Sequence, residues 1–352
     1  SDGAAHDYYG FAVAVDGTTA VVGAHRDDDK GYDSGSAYVF TRTGTSWSQQ
    51  SKLVASDGQV NDYLGWSVAV SGDLVVVGAY LEDQRGGDAG AAYVFARSGT
   101  TWSEQKKLTA YDGAYRDFFA KSVSVSGETV LVGADENDDK GGQSGSAYIF
   151  TRTGTVWGLQ RKLVASDGKK ADYFGRSVGL DNNTALIGAF GRDDRDNGAG
   201  AAYVFQRSGT SWAVQAKLTA SDGKFFDYLG TAVSLSGDLA LLGASTADPR
   251  GTNAGAAYIF ARSGTLWSQQ QKLTAQDGRG YDYFGHSVSI SGQNVMVGAW
   301  GDDDSGSSTG AAYMYRRSGG KWFHYQKWVA SDGYQSDYGA YSVSISGEVP
   351  VM

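Results

Sequence analysis

The chain has no cysteine, two prolines and four histidines among its 352 residues. Without cysteine there is no disulfide framework, no thiolate nucleophile and no cysteine-based zinc site, and the redox compartment stays open. Two prolines beside 51 glycines mean that turns are made with glycine. No apolar run approaches ~18 residues, so nothing in the sequence reads as a membrane-spanning helix. Positive charge is in deficit: 30 Lys and Arg against 39 Asp and Glu leave a net charge of −9. That balance argues against nucleic acid and against insertion into, or binding to, an anionic membrane. The histidines are His6, His25, His286 and His324, and no Gly-x-Ser-x-Gly elbow accompanies them, so nucleophilic catalysis finds no support. The chain opens on Ser1 rather than methionine, which fits a removed signal peptide or a piece of a longer protein.

What is present is a repeat. Residues 56–70 read SDGQVNDYLGWSVAV, and the same frame recurs with its first aspartate at Asp2, Asp57, Asp112, Asp167, Asp222, Asp277 and Asp332, always 55 residues apart. A fixed period of this size means an array. The units are 1–55, 56–110, 111–165, 166–220, 221–275, 276–330 and a partial 331–352, read together as a single domain over 1–352. Each unit carries four short strands. In the second, strand A is the alternating run Trp66–Val70, strand B the apolar run Leu74–Ala79, strand C Ala91–Phe95 and strand D Trp102–Leu108. A continuous apolar run suits a strand covered on both faces, and a polar one suits an exposed edge, so B is central and D outer. Four-stranded antiparallel units joined by tight turns predict an all-β fold, a β-propeller. Strand A occurs seven times, which predicts seven blades with the last incomplete; six blades with a surplus strand is the alternative. A tryptophan opens strand D at Trp47, Trp102, Trp157, Trp212, Trp267 and Trp322. A residue that every blade fills identically reads as blade-to-blade packing rather than as a carbohydrate platform.

Tyr63-Leu64-Gly65 with Val77-Gly78-Ala79, Tyr173-Phe174-Gly175 with Ile187-Gly188-Ala189, and Tyr283-Phe284-Gly285 with Val297-Gly298-Ala299 resemble the FG-GAP repeat over the whole chain. That resemblance implies the seven-bladed propeller of integrin α-subunits and a setting among extracellular and surface proteins. The Gly264-Thr265-Leu266-Trp267 turn and the Lys272-Leu273 strand end look closest to a bacterial and algal-type variant. Three features depart from the pattern. Alanine replaces the first motif's glycine at Ala120 and Ala340, the second motif lacks its final proline, and the Asp-x-Asp-x-Asp-Gly calcium loops between strands A and B are absent. Turns such as Ser71-Gly72-Asp73 are too short to wrap an ion needing ~6–8 oxygens.

The acidic residues have a structural reading and a chemical one. Asp57 and Asp62 suit a turn, with the Asp57 carboxylate accepting backbone N–H groups and Asp62 holding the loop ahead of strand A. A metal pair or an acid–base pair is the competing reading, and a sevenfold copy speaks against catalysis. In the B–C loop Asp28, Asp83, Asp138, Asp193, Asp248 and Asp303 recur, with Lys30, Arg85, Lys140, Arg195 and Arg250 two residues later in five copies. A fixed cation favours an ion pair or turn clamp over calcium. The sixth copy has Ser305 there, which makes Asp302, Asp303 and Asp304 the candidate metal ligands; otherwise no cofactor is expected.

The positions that change between copies fall on the D–A and B–C loops, which share one face of a propeller. Phe11, Trp66, Arg176, His286 and Tyr341 stand at the head of strand A. His25, Tyr80, Phe190 and Trp300 follow Gly-Ala, and Tyr115, Arg116, Phe225, Phe226 and Tyr281 lie between the two aspartates. Aromatics and single arginines scattered over loops match what binding surfaces use. The reading is a non-enzymatic extracellular or cell-surface interaction and adhesion module whose loop face holds a protein partner. A glycan-binding propeller and a structural subunit of a surface assembly are the alternatives.

Overall fold

The computed structural model describes residues 3, 4 and 6–352. The first blade is β1 (Tyr9–Asp16), β2 (Thr19–Ala24), β3 (Ser36–Thr43) and β4 (Ser46–Leu53). The second is β5 (Leu64–Ser71), β6 (Leu74–Ala79), β7 (Ala91–Ser98) and β8 (Thr101–Leu108), and the third β9 (Ser122–Ser126), β10 (Thr129–Ala134), β11 (Ser146–Thr153) and β12 (Val156–Leu163). The fourth is β13 (Phe174–Asp181), β14 (Thr184–Ala189), β15 (Ala201–Ser208) and β16 (Ser211–Leu218), and the fifth β17 (Val233–Ser236), β18 (Leu239–Ala244), β19 (Ala256–Ser263) and β20 (Leu266–Leu273). The sixth is β21 (Ser287–Ser291), β22 (Asn294–Ala299), β23 (Ala311–Ser318) and β24 (Lys321–Trp328). Each of the six is a four-stranded sheet in simple chain order, A-B-C-D. The fold is an all-β propeller of four-stranded antiparallel blades.

The expected count of seven blades is corrected to six. Residues 331–352 form only a two-stranded sheet, β25 (Ser344–Ser346) and β26 (Val349–Val351). That segment carries the A and B strands of the repeat and no C or D strand, so a four-stranded blade cannot form from it. The chain divides into two compact units, with the boundary between Asn182 and Asn183. The first unit holds blades 1 to 3, and the second holds blades 5 and 6 together with β14 to β16.

Strand B explains its own composition. All six residues of β6 are buried. Val75 and Val77 belong to a core shared with Val21, Val39 and Leu53 of blade 1, whereas Leu74 and Val76 join Val130, Val132 and Tyr148 of blade 3. Successive side chains point to opposite faces, so one strand fills two cores and every position must be apolar.

Strand D docks through its tryptophan. Trp102 lies in the core with Leu53 and Ala55 of blade 1, and its Nε1–H donates to Gln50 Oε1 at 2.7 Å. Trp157 donates to Gln105 at 3.3 Å and Trp267 to Gln215 at 2.7 Å. The accepting glutamines sit at β-bulges. The pairing jumps from Val39↔Ser51 to Phe40↔Gln49, leaving Gln50 unpaired in the ladder. A bulge re-aims a side chain, here toward the next blade. Arg97, the cross-strand partner of Trp102, holds its guanidinium 5.2 Å from the indole centroid. Trp47 departs from the packing role expected of all six tryptophans: it is 36% exposed against 7% for Trp102.

Backbone joins blade to blade. Asn61, Tyr63 and Leu64 N–H donate to the carbonyls of Tyr32, Asp33 and Ser34 at 2.9, 3.2 and 3.0 Å. Arg116, Phe118 and Phe119 do the same to Gly87, Asp88 and Ala89. Asn61 and Tyr63 adopt φ of 65° and 58° to make these bonds. The second motif's glycine is required by close approach: a Cβ on Gly78 would stand 2.2 Å from the Ala120 carbonyl oxygen of the next blade. Ala120 and Ala340 keep the left-handed φ of the glycines they replace, 69° and 60°. The alanine copies therefore preserve the motif's shape at some conformational cost.

Trp102→Ala is expected to destabilise the protein by about 3–5 kcal/mol, and Trp47→Ala by less than about 1 kcal/mol. Urea denaturation of both variants checks this; equal losses would remove the interblade role.

Candidate functional site

In the first unit, the variable positions at the head of strand A and after Gly-Ala meet one another. Phe11 and His25 lie 4.4 Å apart between ring centroids, Phe11 and Trp66 4.4 Å, and Trp66 and Tyr80 4.4 Å. Tyr8 and Tyr63 close on His25 at 5.3 and 5.5 Å, and Phe118 meets Tyr80 at 5.5 Å. His25 is buried in this aromatic shell, and burial followed by the neighbouring Arg26 charge lowers it to about 4, so the ring is neutral near neutral pH. Burial also pushes the Tyr80 hydroxyl up to about 12. The aromatic row then gives way to charge. Buried Asp135 receives Lys121 Nζ at 3.4 Å and an Arg176 nitrogen at 3.4 Å. Tyr115 and Arg116 project outward, Tyr115 with 72% of its surface exposed.

In the second unit, Trp300 stacks on Tyr283 at 4.5 Å and 8°, with Tyr338 at 5.4 Å and His286 at 6.1 Å around it. His286 also meets Tyr341 at 4.5 Å. Phe190 packs edge-on to Tyr228 at 5.3 Å. Phe225 and Phe226 touch at 3.8 Å and are 55% and 42% exposed, and Tyr281 is 59% exposed. The predicted site residues thus divide in two. Residues at strand heads and after Gly-Ala are half-buried, or buried at His25, and packed among neighbouring side chains, and those between the two aspartates stand out into solvent.

The first aspartate of the repeat does not act chiefly as the backbone-binding turn expected of it. Asp57 accepts Tyr93 Oη–H at 2.8 Å and Lys107 Nζ at 2.8 Å, both from its own repeat. Asp112 takes Tyr148 and Lys162 at 2.9 and 2.7 Å, Asp222 takes Tyr258 and Lys272 at 3.0 and 2.7 Å, and Asp277 takes Tyr313 and Lys327 at 2.9 and 2.9 Å. Burial pushes Asp57 up, but the Lys107 and Tyr93 bonds outweigh it and hold the carboxyl below its ordinary range. Asp2, the first copy, lies outside the described residues.

The second aspartate does hold the loop ahead of strand A. Asp62 accepts the Gln59 N–H at 2.7 Å, and the equivalent bond recurs from Asp7 to Asp337 at 2.6–3.0 Å. Asp62 is buried, and desolvation, aided by Glu82 and Asp83, pushes it up to about 6. Asp282 is pushed up to about 6 in the same way, by burial and by Asp302 and Asp303. The B–C aspartate is a backbone clamp: Asp28, Asp83 and Asp138 accept the N–H five residues on, each at 2.7 Å.

Asp302, Asp303 and Asp304 have distinct partners. Asp302 Oδ2 accepts Tyr313 at 2.6 Å and Lys327 at 2.9 Å, Asp303 accepts the Ser308 N–H at 2.6 Å, and Asp304 meets Lys327 at 2.6 Å and Arg279 at 3.6 Å. Lys327 stands among the carboxylates where a cation would sit, and no group of three metal-ligating side chains suited to an ion occurs among the described residues.

Two sets of residues escaped the sequence reading. The bulged glutamines look like ordinary edge-strand polar residues, and only their recurrence opposite tryptophan could have flagged them. The position before the B–C clamp reads Asp27, Glu82, Asn137, Arg192, Ala247 and Asp302, a change of charge from blade to blade next to an unchanging Tyr–Lys pair.

The four-stranded blades, with Gly-Ala of one blade receiving the aromatic-glycine turn of the next, define a repeat propeller of the interaction-module class. The FG-GAP repeat matches residues 1–40, 47–95, 102–150, 157–205, 212–260 and 267–315, and the chain belongs to that family. A search of curated proteins found no match.

Two outcomes follow. Asp62's folded value of about 6 lies above the ~4 of an unfolded aspartate. Its protonated form therefore stabilises the fold fully below about pH 4, and this is lost as pH rises through 6. Asp62→Asn keeps the acceptor for Gln59 N–H. Relative to the parent it should gain on the order of 2 kcal/mol between pH 4 and pH 7 in denaturation; a pH-independent difference would refute the assignment. EDTA is expected to leave the melting temperature unchanged, because Lys327 already neutralises the most acidic loop, and a fall of several degrees would reveal a structural metal.

Proposed function

We propose that the protein is a non-enzymatic extracellular or cell-surface interaction and adhesion module that holds a protein partner through its D–A and B–C loops. FG-GAP propellers are interaction folds and typically non-catalytic, which supports the general reading. The observation that carries the specific one is the exposure of Tyr115, Phe225, Phe226 and Tyr281, all on D–A loops. Large exposed aromatics on short, backbone-braced loops are what anchor protein interfaces, since they bring area at little ordering cost. The half-buried aromatics serve as a rigid bed beneath them. Trp300 has one ring face on Tyr283, which favours a protein partner over a sugar stacked on that tryptophan.

Affinity capture from cell-surface extracts with the full chain tests this. A Phe225→Ser/Phe226→Ser variant is expected to retain its melting temperature and to lose its captured partner by at least about tenfold. Unchanged capture would move the site elsewhere, and saturable binding on a glycan array, abolished by Trp300→Ala, would replace the protein reading with the lectin one.

A further inference from the structure

The first aspartate of every repeat is followed by glycine, from Asp2-Gly3 to Asp332-Gly333. That pair is chemically vulnerable. The glycine nitrogen can attack the aspartate Cγ, because no side chain on the glycine screens it. The N–Cγ bond forms, one Cγ–O bond breaks, and the oxygen leaves as water with the amide proton and the carboxyl proton. Water then opens the succinimide at either carbonyl, returning aspartate or giving isoaspartate. Isoaspartate routes the main chain through Cβ and so lengthens it by a methylene.

The nitrogen is held alike from copy to copy. Gly58, Gly113, Gly223 and Gly278 N–H donate to the carbonyls of Ala55, Ala110, Ala220 and Ala275 at 3.3 Å each, and Gly333 N–H to Ala330 at 3.4 Å. The carboxylates differ. Asp57, Asp112, Asp222 and Asp277 each have Oδ1 on a tyrosine hydroxyl and Oδ2 on a lysine Nζ. The Asp332 carboxylate is exposed and has no hydrogen-bonding or ionic partner among the described residues. Burial is not the difference, since Asp57 and Asp222 each keep 48% of the side chain exposed.

We propose that the tyrosine–lysine clamp guards Asp-Gly against succinimide formation, and that Asp332-Gly333, which stands without it, is a site of isoaspartate formation in this chain. The clamp acts in two ways. Ring closure must swing Cγ onto the glycine nitrogen, and a carboxylate held at both oxygens has to break two bonds, one of them to a cation, before it can do so. The same bonds favour the ionised form. Burial pushes Asp57, Asp112, Asp222 and Asp277 up, but the lysine and tyrosine bonds outweigh it and hold them below their ordinary range. An ionised carboxylate lacks the proton with which its oxygen departs as water. What is guarded is the spacing of the loop that follows. After Asp332, Ser336 and Tyr338 N–H bond the carbonyls of Ser307 and Ser308 at 3.0 and 3.1 Å, and a methylene inserted just upstream displaces those donors.

The test is an isoaspartate map of the folded full chain, incubated for weeks near neutral pH, digested, and read peptide by peptide by electron-transfer mass spectrometry. Isoaspartate is expected to accumulate at Asp332 at least about tenfold faster than at Asp57, Asp112, Asp222 or Asp277. In concentrated urea the five sites are expected to form it at a common rate. Lys272→Met probes the clamp directly, because Lys272 bonds Asp222 and no other carboxylate among the described residues. It is expected to raise isoaspartate at Asp222 about tenfold and to leave Asp57, Asp112 and Asp277 unchanged. Tyr258→Phe, which keeps the buried ring, is expected to raise Asp222 as well. Equal rates at the five sites in the folded chain, a lead at Asp332 that persists in urea, no rise at Asp222 in Lys272→Met, or a rise at every site in that variant would each overturn the proposal.

Discussion

The main-chain contact between consecutive blades is the constraint on which the remaining structure depends. Leu64 N–H on the Ser34 carbonyl, and its equivalents along the chain, fix each D–A loop to the B–C loop before it. The contact is dense enough that no side chain fits at Gly78, where the next blade's carbonyl oxygen lies 2.2 Å from the position of a Cβ. It also forces non-glycine residues such as Asn61 and Tyr63 into positive φ, a cost of order 1 kcal/mol each that the bonds they make must offset. Hydrophobic burial then works on a frame already in register: alternate residues of β6 fill two different cores because the blades on either side are held at a fixed offset.

A frame built from backbone leaves side chains near it free of structural duty. Residues 59–61, 66 and 80 flank the interblade bonds without making them through their side chains. Phe11, Trp66 and Tyr80 pack into an aromatic row, whereas Lys121, Asp135 and Arg176, at the equivalent positions of later repeats, pack into a charged one. Variation there alters surface chemistry without altering the fold, which is the separation a binding module needs.

How legible this was in the sequence depended on the distance between partners. Strand B of the second repeat was readable to the residue because Leu74–Ala79 is apolar without a break, and burial on both faces leaves no other pattern. The tryptophans were readable as packing from their recurrence, but not the exposure of Trp47, which carries the same motif as the buried copies. Asp57 was misjudged because its partners, Tyr93 and Lys107, are 36 and 50 residues away. Each of those also has an ordinary role by itself, a core tyrosine and a solvated edge lysine. Asp62 was read well because its bond to Gln59 is three residues away and follows from local turn geometry. The blade count failed for another reason: seven copies of strand A were visible, but a four-stranded blade also needs strands C and D, and residues 331–352 form only a two-stranded sheet.

The electrostatics of the loops extend the same division between frame and variation. Tyr93, Lys107 and Asp57 form a hydrogen-bonded clamp that recurs as Tyr148, Lys162 and Asp112, and again as Tyr258, Lys272 and Asp222. The neighbouring position joins the same lysine in several blades, Glu82 on Lys107, Asp302 on Lys327 and Asp27 on Lys52, but its identity is not fixed. It carries Asp27, Glu82, Asn137, Arg192, Ala247 and Asp302 in turn, a span from −1 to +1 in formal charge. A core position would not tolerate that span, since an uncompensated buried charge costs several kcal/mol. It is tolerated here because the buried charges find partners within the loop cluster: Asp27 takes Tyr38 and Lys52, Asp302 takes Tyr313 and Lys327, and Arg192 pairs with Asp194. The blades are thus alike where they hold one another and unlike where they meet the outside.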